Sequence, residues 1–142
     1  MNEIEKRQQQ IVEEFQMFTD WMDRYNYLIE YSKELAPMPD EHKIKQNQIE
    51  GCQSTVWVNA EYRDGKIYFQ ADSDAILTKG LIALIVKVYN GQSPDDILNT
   101  PPDFVSKIGL SEHLSPTRAN GLNAMIKQIK LYAMAFKAKY QQ

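Results

Sequence analysis

The chain has 142 residues, enough for one domain with a real core and too few for two comfortable ones. Apolar residues at 43% and charged residues at 25% are ordinary globular values and exclude a disordered chain or a membrane protein. The net charge of -3 comes from acidic and basic residues mixed along the whole length. With no basic block to neutralise a series of phosphates, nucleic acid is not an expected partner.

The opening segment Met1-Asn2-Glu3-Ile4-Glu5-Lys6 has neither the basic nor the apolar region of a secretory signal, and no apolar run reaches membrane-spanning length. No membrane association is expected, and the cytoplasm is the default compartment. From Glu3 to about Leu35 the composition favours helix. Ile4, Ile11, Phe15 and Phe18, then Trp21, Tyr25, Leu28 and Ile29, fall at helical spacings. Thr19-Asp20 reads as a cap between two helices. Ala36-Pro37-Met38-Pro39 ends the second one, because proline cannot continue the hydrogen-bond ladder.

From Ser54 the period changes to two. Val56, Val58, Ala60 and Tyr62 alternate with more polar residues, as do Ile67, Phe69 and Ala71 after Asp64-Gly65. A two-residue turn at Asp64-Gly65 pairs Arg63 with Lys66, Tyr62 with Ile67, Ala60 with Phe69 and Val58 with Ala71. That register gathers every apolar member on one face, and a slip of one residue would destroy it. Two strands alone are marginal, so residues 43–50 are the expected third strand.

Asp72-Ser73-Asp74 supplies a helix start, and the run to Tyr89 is apolar on most sides, as in a central buried helix. Asn90-Gly91 stops it. Ser93-Pro94 and Thr100-Pro101-Pro102-Asp103 open two short helices, the second ending near Gly109. Ser115-Pro116 opens the last helix, whose stripe of Leu122, Met125, Ile126, Ile129, Ala133, Phe136 and Tyr140 should cover the core. Helices, a small antiparallel sheet over about 54–72 and more helices make an α+β single domain over residues 1–142.

The one cysteine, Cys52, cannot form an internal disulfide. It sits in Gly51-Cys52-Gln53-Ser54, where the glycine permits an unusual turn and a close approach by another molecule. Locally this fits either a reactive thiol or an inert cysteine at a strand end. A self-contained metal site would need more soft or imidazole ligands than one Cys and the separated His42 and His113, so no metal and no cofactor is expected. A Cys-His pair stays open, since sequence does not show either histidine near the thiol. Trp57 faces away from the apolar side of the hairpin, as a partner contact or beneath a helix. Arg118, in the first turn of the last helix, is poorly placed for the helix dipole, and an ion pair or an anionic contact would account for it. Gly80 marks close packing, with Lys79 on the polar edge of its helix.

Three blocks in order are similar to the SufE family, the sulfur-acceptor proteins that work with cysteine desulfurases. Asn47 to Trp57, containing Gly51-Cys52-Gln53-Ser54, resembles the family signature around its sulfur-carrying cysteine. Asp72-Ser73-Asp74-Ala75 followed by Lys79-Gly80-Leu81-Ile82-Ala83 resembles its sheet-to-helix junction. Leu114-Ser115-Pro116-Thr117-Arg118 with Gly121-Leu122-Asn123-Ala124-Met125 resembles the start of its closing helix. The resemblance implies a SufE/IscU-like fold shared with iron-sulfur scaffold proteins. It implies Cys52 as persulfide carrier, and with that role Gly51, Gln53 and Ser54 are the expected supporting loop and Arg118 and Asp74 the expected partner or anion contacts. The implied partners are a SufS-like cysteine desulfurase as donor and an iron-sulfur scaffold complex as acceptor. The chain would stimulate the desulfurase rather than act as a stand-alone enzyme. An iron-sulfur scaffold, a thiol redox sensor and a helical interaction module with an incidental cysteine are the competing readings.

Overall fold

The computed structural model describes residues 1–140, apart from the side chain of Ser111. Helix α1 (Glu3–Gln16) opens with a capping box. The Asn2 side chain accepts from the Glu5 N–H while the Glu5 carboxylate reaches back to the Asn2 N–H. Helix α2 (Trp21–Tyr31) is capped by Asp20, as its sequence requires, and a 3-10 turn over Ser32–Glu34 carries it toward the prolines. Strands β1 (Val56–Arg63) and β2 (Lys66–Ser73) pair antiparallel in the expected register, Val58 opposite Ala71 and Arg63 opposite Lys66. Asp64 and Gly65 both have positive φ, 51° and 81°, as the two central residues of a type I′ turn need.

Residues 43–50 do not form the third strand. Lys45–Asn47 winds into a 3-10 turn closed by backbone bonds from Asn47 to Ile44 and from Gln48 to Lys45, and the Asn47 side chain bonds the His42 carbonyl. Those local bonds outcompete a ladder. Only a bridge between Gln48 and Trp57, with a bond from Ile49 N–H to the Val56 carbonyl, touches the sheet. On the other edge Gly91 and Gln92 bond Ile67, and the Asn90 side-chain oxygen accepts from the Phe69 N–H. Both edges of a two-stranded sheet are thus partly covered by loops, which blunts the exposed pairing groups.

Helix α3 (Ile76–Tyr89) is buried on nearly every side from Gly80 to Tyr89 and packs against α1, α2, β2 and α7 (Pro116–Tyr140). Gly80 meets the backbone of Leu28 so closely that a Cβ there would run into the Leu28 carbonyl oxygen. Ser93 caps α4 (Pro94–Asn99) with proline in its first turn, as expected. The next helix, α5 (Phe104–Lys107), begins later than Thr100-Pro101-Pro102 suggested. Gly109, at φ 78°, then permits a further short helix, α6 (Leu110–His113), absent from the sequence expectation. On α7 the expected stripe is buried at Leu122, Met125, Ile129 and Ala133. Farther along, Phe136 is half-buried and Tyr140 stacks on Tyr62 with ring centroids 4.2 Å apart.

Replacing Gly80 by alanine forces α2 and α3 apart. Denaturant unfolding of Gly80→Ala is expected to show a loss of about 2 kcal/mol, whereas an unchanged midpoint would mean that the crossing has slack.

Candidate functional site

Cys52 lies in the loop between Ile49 and the start of β1. Gly51, at φ +92°, makes the turn that presents the thiol, and a Cβ at Gly51 would stand 3.5 Å from that of Ala124 on α7. Position 121 on α7 is also glycine, and a Cβ there would come within 3.5 Å of Cys52 Sγ. The thiol points at the Gly121 carbonyl, with Sγ 3.7 Å from the oxygen. Both distances are ordinary van der Waals contact, so the loop lies directly on α7, and it is the positive φ of Gly51 that calls for glycine there. The sequence alone held no sign that Gly121 faces Cys52.

The loop rejoins the sheet at Thr55, which is held by several bonds. Its N–H donates to Asp74 Oδ1 (3.0 Å), and its carbonyl accepts from the Ser73 hydroxyl (2.8 Å) and from the Asp74 N–H (3.2 Å). Asp72-Ser73-Asp74 was expected to cap α3, but these side chains are largely spent elsewhere. The N-cap is Ala75, with no side-chain cap bond, and Ser73 Oγ accepts only from the Ala75 N–H. One oxygen of Asp74 thus pins the loop, a use distinct from the partner or anion contact expected of it.

Asp72 is absorbed differently. Its carboxylate takes Lys43 at 3.0 Å and Lys79 at 3.3 Å. Burial opposes its ionisation, but Lys43, the Ser73 N–H and Lys79 outweigh that and hold the carboxyl below its usual range. Lys79 is therefore an ion-pairing residue rather than a solvated edge. Trp57, opposite Asp72 in the sheet, is half-buried with Lys43 Nζ 5.9 Å from its ring, and its indole N–H has no hydrogen-bond partner among the described residues.

Cys52 opens on a cavity of about 100 Å³ between the loop and the first turns of α3 and α7. Gln53, Ser54 and Arg118 line it with Cys52, so four of the expected site residues converge there, joined by Thr78, Thr117 and Met125. Gly51 and Asp74 instead shape and pin the loop. Neither histidine lines the cavity. His113 stacks on Trp21, ring centroids 3.8 Å apart, and His42 sits 3.8 Å from Glu41. Among the described residues no group of three or more His, Cys, Asp or Glu is placed to hold a metal ion.

The first turn of α3, with no side-chain cap, lines the same cavity. Burial pushes the Cys52 thiol above its ordinary value. The resting site therefore holds a protonated, half-buried thiol.

The comparisons with known proteins agree with this architecture. Residues 9–133 match the model of the SufE family, described as an Fe-S metabolism associated domain. An uncharacterized SufE-like protein of Synechocystis is 45% identical over 126 residues, 89% of this chain and 79% of that one. SufE-like protein 1, chloroplastic/mitochondrial, of Arabidopsis thaliana is 38% identical over 143 residues. These are 100% of this chain but only 38% of the plant protein. An uncharacterized SufE-like protein of Rhizobium meliloti is 38% identical over 85% of this chain and 90% of its own. The solution structure of a hypothetical protein from Thermus thermophilus superposes with a TM-score of 0.75 at 25% identity, covering 91% of this chain and 94% of that one.

Because the folded value of the thiol is the higher one, the fold favours the protonated form. That stabilisation is complete below the unfolded thiol value, about 8.5, and is lost as pH rises through the folded value. Iodoacetamide should therefore modify Cys52 slowly at neutral pH, with half-maximal rate at a higher pH than for the same chain in denaturant. Coincident pH profiles would refute the burial argument.

Proposed function

The chain belongs to the SufE family, and on that premise we propose that it accepts sulfane sulfur from a cysteine desulfurase as a persulfide on Cys52 and delivers it to an iron-sulfur cluster assembly scaffold. The observation that carries this reading is the chain's one thiol, on a glycine-hinged loop, facing a cavity with room for a further sulfur. The Cys52 thiolate attacks the outer sulfur of the desulfurase persulfide, a new S–S bond forms, and the desulfurase thiolate leaves. Delivery repeats the displacement with Cys52 as leaving group.

Both steps need a partner cysteine to approach Cys52, which at rest is half-buried against α7. Opening at Gly51 breaks light contacts, against Ala124 and Gly121, while Thr55 stays pinned as the hinge's fixed end. Exposure also lifts the burial that holds the proton on the thiol, so activation and access arrive together. After loading, reclosure places the outer sulfur in the cavity, which limits its contact with bulky reductants and oxidants. A redox sensor is less well served by this site, because sensing favours an open thiol of low pKa. The carrier works in the cytoplasm with protein partners, Arg118 meeting anionic groups at the mouth of the cavity. No described helix is long and apolar enough to cross a membrane.

Incubation with a cysteine desulfurase and cysteine should add reductant-labile sulfur, seen by intact mass, at Cys52 and nowhere else. No added sulfur with several desulfurases would sink the carrier reading. Cys52→Ala should fold with stability within about 1 kcal/mol of the parent and fail to stimulate the desulfurase. A much larger loss would place the cysteine in the core. Alkylation should accelerate when the desulfurase is present, and equal rates would remove the gating.

A further inference from the structure

The lining of the Cys52 cavity is half apolar, with Leu77, Leu81 and Met125, and its polar part holds no anion. Arg118 is its one charged side chain, and among the described residues no carboxylate pairs with it. Ser54, Thr78 and Thr117 contribute hydroxyls and Gln53 an amide, beside the uncapped start of α3. The nearby acids are committed elsewhere, Asp74 to the Thr55 N–H and Asp72 to two lysines. A recess with one unpaired cation, several hydroxyls and no carboxylate favours an anionic occupant over a cationic one. About 100 Å³ also far exceeds the roughly 10–15 Å³ that a single water requires. A small oxyanion and the outer sulfur of a persulfide fit together.

We propose that this cavity admits sulfite past Arg118, so that sulfur carried on Cys52 can be discharged directly onto a small anionic nucleophile as well as onto a protein. This rests on the carrier reading above. The sulfur lone pair of sulfite attacks the outer sulfur of the Cys52 persulfide and forms the S–S bond of thiosulfate. The S–S bond to Cys52 breaks, its electron pair stays on the Cys52 sulfur, and that sulfur takes the persulfide proton. The persulfide is reduced to the thiol, sulfite is oxidised to thiosulfate, and no other reagent enters. Arg118 neutralises charge on the attacking oxyanion and the hydroxyls orient its oxygens.

The test uses the full chain loaded by a desulfurase and cysteine, or by inorganic polysulfide where the desulfurase fails to load it, then freed of small molecules. Discharge is followed by intact mass and by thiosulfate formed, with sulfite and separately with neutral 2-mercaptoethanol. Arg118→Ala should lower the ratio of sulfite to 2-mercaptoethanol rates about tenfold, the worth of one charge-assisted contact. Arg118→Lys should restore part of it, and added salt should depress the parent ratio. A ratio unchanged in Arg118→Ala, or no thiosulfate from loaded parent protein, overturns the proposal. Failure of the desulfurase to load the chain, with polysulfide loading intact, counts against the carrier reading alone.

Discussion

Helix α3 is apolar on almost its whole circumference, and the molecule is arranged to cover it. The hairpin takes one side, α2 another, and α1 and α7 the rest. The close approach at Gly80 and Leu28 sets the distance of α2, while Val58, Ile67, Phe69 and Ala71 form the sheet's contribution to the same core. Such a helix cannot shift without exposing several fully buried side chains, each worth roughly 1.5–3 kcal/mol. Its N-terminus is therefore a rigid landmark, and the Cys52 cavity is built against it.

Around that landmark the loop is held by much weaker forces. Gly51 and Gly121 allow contact without interlocking side chains, and the thiol has only a long interaction with a carbonyl. The firm bonds lie at the exit, where Ser73 and Asp74 grip Thr55. On the entry side the Lys43–Asp72–Lys79 cluster ties the preceding segment to β2 and α3. A segment anchored at both ends and loosely seated between them suits a thiol that must alternate between shelter and exposure.

The same arrangement reconciles reactivity with protection. Burial keeps the proton on Cys52 at rest, and exposure removes that bias. Trp57, below Lys43 and with its indole N–H unpaired among the described residues, sits where the entry segment meets the sheet.

The α+β class, the hairpin register and most helix starts were legible from the residues alone, because these rest on local rules. A positive-φ turn at Asp64-Gly65, period-two alternation, Asp20 and Ser93 as caps and proline in first turns all act over a few residues. Cys52, Gly51 and Arg118 stood out in the same way, since a lone thiol, a glycine beside it and a cation at the wrong helix end are visible without coordinates. The use made of Asp72-Ser73-Asp74, by contrast, emerges from folding. As a string they read as a cap, but Thr55 and the two lysines, brought near in the folded chain, compete for the same oxygens and win. The third strand failed for the converse reason: Asn47 and His42 satisfied each other locally before the sheet edge was reached. Gly121 shows the remaining gap, because its carbonyl faces Cys52 across 69 positions of chain, a neighbour set only by how α7 crosses the loop.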